Sequence, residues 1–107
     1  MSQTALRLQM EPLRSLAFGS ISGTYAGIGT AIANPARKIF FLNETDVAVS
    51  ISDDGVTDKL RLLAGSGLIL DEALNHQGDY TAAGTRFYVK GAPTLGQVDI
   101  TVWYGAV

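Results

Sequence analysis

Gln97 to Tyr104 (QVDITVWY) constrains this chain more than any other segment. Val98, Ile100, Val102 and Tyr104 fall on one side, and Asp99, Thr101 and Trp103 on the other. A period of two over eight residues marks a half-buried β-strand. The same rhythm recurs in Asp46–Ser52, with Val47, Val49 and Ile51 inward. It returns in Asp58–Ala64, with Leu60 and Leu62 inward and Lys59 and Arg61 outward. Thr85–Lys90 repeats it with Phe87 and Val89 inward. No strong helical period intervenes; one helical turn around Glu72–Leu74 is the exception allowed.

The remaining segments are shorter or less regular. Lys38–Asn43 (KIFFLN) is a continuous apolar run, as in a strand covered on both faces. Leu13–Ile21 and Leu68–Leu70 read as weak or short strands, and Tyr25–Ala33 as a poorly specified strand or a long loop. Ser22-Gly23, Asn34-Pro35, Asp53-Asp54-Gly55 and Gly65-Ser66-Gly67 punctuate them as turns. Leu6, Leu8 and Met10 alternate in an N-terminal arm, residues 1–12, which Pro12 interrupts. Residues 13–107 then form a single domain.

Two hairpin registers follow. Around Asp53–Asp58, Ile51 meets Leu60, Val49 meets Leu62 and Ser50 meets Arg61. Around GAPTLG (91–96), Val89 meets Val98 and Phe87 meets Ile100, with Tyr88 on Asp99 and Arg86 on Thr101. Both keep the apolar pairs on one side, as register specification requires. Seven or eight short strands with Gly-rich turns suit a β-sandwich, a jelly roll or a small barrel. The expected fold is an all-β antiparallel sandwich.

With 107 residues, roughly two-thirds of the extended chain's surface is buried on folding, enough for one modest core. There is no cysteine, so disulfides and thiolate ligands are excluded and a reducing site of assembly is expected. A net charge of -2 offers a phosphate backbone no long-range attraction, which argues against nucleic acid as partner. No apolar run is long enough to span a bilayer, and MSQTALRLQMEP has no signal-peptide core, so no membrane association is expected. Charged residues make up only 17% of the chain and mean hydropathy is +0.19, which fits a surface covered by other subunits.

Catalytic chemistry finds no foothold. His76 is the only histidine, near Asp71, Glu72 and Asp79; one histidine without cysteine makes neither a zinc site nor a thiol–imidazole pair. A Ser-based triad would need geometry that no motif indicates. Asp53, Asp54 and Asp58 could hold calcium, but the alternating ligand pattern with a distal glutamate is missing, and Asp and Gly suit the hairpin turn. Gly23, Gly27 and Gly29 resemble a phosphate loop without its third glycine, position 32 being Ile, and without a Gly-Lys-Ser/Thr. Asn43-Glu44-Thr45 fits a glycosylation sequon, but is read as a turn. No catalytic, cofactor or metal residue is assigned, and no enzyme activity is expected. The candidate interface residues are Leu6, Leu8 and Met10 of the arm, with Arg86, Tyr88 and Trp103 as an outward cluster of hot-spot residue types.

Two runs carry a resemblance: SLAFGSISGTYAGIGTAIANPARKIFFLNETDVAVSISDDGVTD (Ser15–Asp58) and GTRFYVKGAPTLGQVDITVWYG (Gly84–Gly105). They resemble small virion structural proteins of tailed bacteriophages. The matching positions are Asn34-Pro35, Asn43, Thr45-Asp46, Asp54-Gly55-Val56, Gly84, Tyr88-Val89-Lys90, Pro93-Thr94, Gly96 and Tyr104-Gly105. The resemblance implies a capsid decoration (cement) protein docked on the major capsid protein, or a head–tail or collar component. It implies a location in the virion after assembly in the host cytoplasm. A homo-oligomer, for instance a trimer, is the expected self-association. A carbohydrate-binding or receptor-binding module is the alternative of a different class.

Overall fold

The computed structural model describes residues 7–71 and 81–106. The described residues form nine strands: β1 Arg7–Met10, β2 Arg14–Ala17, β3 Ala26–Gly27, β4 Ala36–Asn43, β5 Val49–Ser52, β6 Leu60–Leu62, β7 Gly67–Asp71, β8 Tyr88–Lys90 and β9 Gln97–Ala106. They make two antiparallel sheets, the all-β sandwich expected from the sequence. Sheet A has the order β1-β9-β4-β7, with β2 also on β9; sheet B has the order β3-β8-β5-β6. The expected turn at Glu72–Leu74 and His76 lie outside the described residues.

Alternation explains which side each strand buries. From sheet A, Ile39, Phe41, Val98, Ile100 and Val102 point into the core. From sheet B, Val49, Ile51, Leu62, Phe87 and Val89 meet them. Ile21, Ile28 and Ile32 fill the rest from the connecting segments. Phe41 and Phe87 join the sheets edge to face, centroids 5.1 Å apart and planes at 85°. The 25–33 segment owes its order to these isoleucines and to backbone bonds from Ile28 N to Phe87 O and from Ile32 N to Thr85 O. Truncating Phe87 to Ala removes one half of the aromatic joint and is expected to cost about 3–5 kcal/mol. The urea midpoint checks this, and an unchanged midpoint contradicts the packing.

The β5–β6 hairpin has the register expected from the sequence: Val49 on Leu62, Ser50 on Arg61, Ile51 on Leu60. The second expected hairpin does not form. β8 pairs with β5 and β3, and β9 pairs with β4, β1 and β2, so GAPTLG crosses from sheet B to sheet A. The crossing is pinned to the turn after β4. Asp46 accepts from Thr94 N at 2.9 Å and from the Thr94 hydroxyl, and Glu44 N donates to Gln97 O at 2.9 Å. Gly96 has φ +87°, and a Cβ there would collide with the Glu44 carbonyl. Gly96→Ala is therefore expected to lose about 2 kcal/mol or more, read as a lower thermal midpoint.

Two buried polar hubs tie the strands to each other and to their connections. Glu11, in the break between β1 and β2, accepts from Ala33 N, Asn34 N, Asn34 Nδ2 and Arg14 Nη2. Arg14 in turn donates to Thr30 O and Ala31 O. Asn43, fully buried at the end of β4, donates to Val47 O, Leu62 O and Leu63 O and accepts from Thr45 N and Oγ1. The Asn43-Glu44-Thr45 segment is thus a turn, as expected, but also an anchor between β4 and β6.

Candidate docking surfaces

The two outer faces of the sandwich differ in chemistry. Sheet B shows Ser50, Arg61, Tyr88 and Lys90 outward, and two of the cations on this side are paired. Lys90 Nζ lies 3.0 Å from Asp58, and Lys59 Nζ 3.0 Å from Asp53. Tyr25 Oη donates to Asp58 at 2.5 Å, and Lys90 sits over the Tyr25 ring, 4.9 Å from its centroid. Partial burial, and then the neighbouring Asp58 carboxylate, push the Tyr25 phenol up to about 12. An open depression of about 570 Å³ over this face is lined largely by Ser50, Asp58, Lys59, Arg61 and Lys90. Its lining carries charges of both signs.

Sheet A shows the opposite. The register of β1, β9, β4 and β7 places Met10, Trp103, Lys38 and Asp71 in one row across the outer face. Thr101, Phe40 and Ile69 form the next row. Leu8 and Leu13 extend the apolar surface on the β1–β2 side. Met10 is 59% exposed, Leu13 60%, Ile69 56% and Leu8 46%. Trp103 is half-buried, with Lys38 Nζ 5.6 Å from its ring centroid; Lys38 also pairs with Asp71 at 3.6 Å. The Lys38–Asp71 ion pair is the polar relief at this end of the face, and Asp99, accepting from Ser15 Oγ and Gln97 Nε2, makes the far end polar.

The two lateral edges of sheet A differ. β1 and β2 form one broken edge, joined at Glu11 N to Val102 O. At the other edge, Leu68 and Leu70 of β7 point inward yet stay 41% and 43% exposed, because sheet B stops short of them. They open an apolar cleft of about 250 Å³ with Phe41, Ile51, Leu60 and Phe87.

The sequence-derived interface set is only partly brought together. Leu8, Met10 and Trp103 share the outer face of sheet A, with Met10 directly across from Trp103. Leu6 lies outside the described residues. Segment 7–10, part of the arm expected over residues 1–12, pairs with the chain's own β9. Tyr88 and Arg86 belong to the sheet B side, contrary to the cluster expected with Trp103. Arg86 stacks on Tyr88 with its Cζ 5.6 Å from the ring and donates from Nε to Gly29 O. The cause is the crossover at GAPTLG: the alternation holds in each strand, but the strands belong to two sheets instead of one. Sequence reasoning also leaves out Phe40 and Ile69, although each alternates out of its strand.

Among the described residues, no group of three or more His, Cys, Asp or Glu could hold a metal ion. Asp53, Asp54 and Asp58 belong to the turn. Asp54 accepts from Ser52 Oγ, Val56 N and Thr57 N, and these bonds hold its carboxyl far below the usual carboxylate range. Asp58 is taken by Tyr25 and Lys90. No helix among the described residues is long and apolar enough to cross a membrane.

No family model matches the sequence, and no curated protein matches it. Among solved structures the chain is similar to a protein of the Bacillus endospore appendages, a family of disulfide-linked pili. The TM-score is 0.52 at 13% identity, covering 100% of this chain and 96% of that one. At this identity the likeness concerns the fold alone, and it extends over the whole sandwich.

Proposed function

We propose that this chain is a non-enzymatic structural subunit of a larger protein assembly, working by docking sheet A onto neighbouring subunits. The setting that the residue resemblance names is the tailed-phage virion, with capsid decoration as the leading place and the head–tail collar as the alternative. The observation that carries the reading is the asymmetry of the sandwich. One face is charged and largely paired, and the other presents Leu8, Met10, Leu13, Phe40, Ile69 and Trp103 beside one ion pair, with a polar end at Asp99. Contiguous apolar faces of this kind mark interaction sites. The fold likeness to a pilus-forming protein supports an assembly role in general, but not its disulfide linkage, since this chain has no cysteine.

In this reading the sandwich is a rigid body and affinity comes from many copies, each held modestly. The glycan-binding reading loses its platform, because Trp103 and Tyr88 face away from each other on different sheets. The test is the number of copies per purified particle, by quantitative mass spectrometry. Hundreds of copies support shell decoration, and about a dozen place the chain at the neck. Absence from the particle overturns the virion setting.

A further inference from the structure

Among the described residues, the β7 edge is where the fold leaves inward-pointing side chains uncovered, and β7 pairs there only with β4. Natural edges are blunted by lysine, proline or a bulge. Gly67-Leu68-Ile69-Leu70-Asp71 has none of these, and its three central side chains are all more than two-fifths exposed.

The ladder fixes which backbone groups face outward. Asn43 N donates to Ser66 O at 2.9 Å, so that pair is hydrogen-bonded. Hydrogen-bonded and non-bonded pairs alternate in an antiparallel ladder. Phe41/Leu68 and Ile39/Leu70 are therefore bonded to β4, while the N–H and C=O of Ile69 point away from it. A second β7, brought up antiparallel about a two-fold axis at Ile69, meets outward groups with outward groups. Ile69 then exchanges backbone bonds with its own copy.

The side chains fit the same axis. On the inner side Leu68 meets Leu70 of the other copy, twice by symmetry, and the two apolar clefts close over each other. On the outer side Ile69 meets Ile69. Charge agrees as well. Each Asp71 falls opposite the other copy's Gly67, held by its own Lys38, and the two carboxylates sit at opposite ends of the paired strands. The rival edge of sheet A cannot do this. β1 is antiparallel to β9, so a translated copy would bring β1 beside β7 with Leu8 and Met10 outward. Leu68 and Leu70 would then face Gln9 and stay wet.

We infer that β7 is a self-association edge, joining two copies of this chain by an isologous antiparallel pairing centred on Ile69. Such an interface is small. One five-residue strand with three half-exposed apolar side chains covers roughly 300–400 Å² per copy, against about 800 Å² in a standard interface. The dimer is accordingly reversible and concentration-dependent. This inference goes beyond the assembly role proposed above and stands on the edge geometry alone.

Sedimentation equilibrium over about 1 µM to 1 mM spans the range expected for an interface of this class. The wild-type mass should rise from 11.3 kDa toward twice that value. Ile69→Lys sets two ammonium groups at the axis and should hold the protein at monomer mass throughout, with its circular dichroism and thermal midpoint unchanged. Because the chain has no cysteine, single-cysteine variants report the register. Leu68→Cys mixed with Leu70→Cys should form a cross-linked dimer on oxidation, and each variant alone should form at least about fivefold less, since only the mixed pair brings the two thiols within disulfide reach. A monomeric wild type at 1 mM, a dimer that persists in Ile69→Lys, or equal cross-linking of the separate variants each overturns the inference. None of these outcomes bears on whether the chain occurs in particles.

Discussion

Glu11→Ala is expected to lower stability by about 3–5 kcal/mol, the cost of stripping one partner from a buried ion pair. Glu11 and Arg14 are bonded at 2.8 Å with side chains only 3% and 9% exposed. Removing the carboxylate leaves the guanidinium buried and takes the acceptor from Ala33 N, Asn34 N and Asn34 Nδ2. The total stability of a domain this size is about 5–15 kcal/mol, so a large share disappears. The thermal midpoint should drop by about 15–25 °C. Glu11→Gln keeps one acceptor and should lose less.

The same carboxyl gives an acid-side signature. Burial alone would raise its pKa from 4.5, but the hydrogen bonds from Asn34, Ala33 and Arg14 outweigh burial and lower it. A depressed folded pKa means the contribution is complete above the unfolded value and fades as pH falls through the folded one. The stability gap between wild type and Glu11→Gln should therefore be full at pH 7 and shrink below about pH 4. A gap that stays constant down to about pH 2 would show that the charge is not what holds the hub.

Asn43→Asp is the second large effect, expected at about 3–5 kcal/mol although the shape hardly changes. The amide nitrogen of Asn43 faces three carbonyls, Val47 O at 2.9 Å, Leu63 O at 3.1 Å and Leu62 O at 3.2 Å. A carboxylate oxygen there would meet acceptors only. It would also be a charge in a site with no solvent access. Asn43→Ala should cost less, about 1–3 kcal/mol, because Thr45 N and Leu62 O lose this partner while Val47 O keeps the Thr45 hydroxyl and Leu63 O keeps Ser66 N and Oγ. Chemical denaturation of the two variants is the check. Either one behaving like wild type would mean that the β4–β6 anchor is redundant.

Both hubs show where the sequence is legible and where it is not. Alternation identifies the inward side of β5, β6, β8 and β9, because one apolar face per strand is a local property. The β5–β6 register is legible for a related reason: a short Asp-Gly turn keeps those two strands adjacent. The pairing expected between β8 and β9 fails because Val89 and Phe87 fit any apolar neighbour equally well. What decides is the Gly96 conformation and the Asp46–Thr94 tether, which come from distant segments. Glu11 and Arg14 look like ordinary charges around a proline. Their partners lie far along the chain, in a Gly- and Ala-rich segment without a pattern of its own.

The docking surface is half visible in the sequence. Leu8, Met10 and Trp103 stand out by alternation and residue type, and the fold places all three on sheet A. Phe40 and Ile69 are hidden inside continuous apolar runs, KIFFLN and LIL. Such runs conceal their outward half, since periodicity is lost. Only the two-sheet topology shows that β4 and β7 have a bare side.

Oxidative footprinting of the chain, free and in its purified assembled particle, tests the docking of sheet A most directly. Met10 and Trp103 react readily with hydroxyl radicals and lie on the proposed contact face, and Tyr25 and Tyr88 on the sheet B side serve as internal controls. Met10 and Trp103 should be strongly protected on assembly, with the tyrosines little changed. Equal reactivity of Met10 and Trp103 in the two states, or protection confined to the tyrosines, would contradict it.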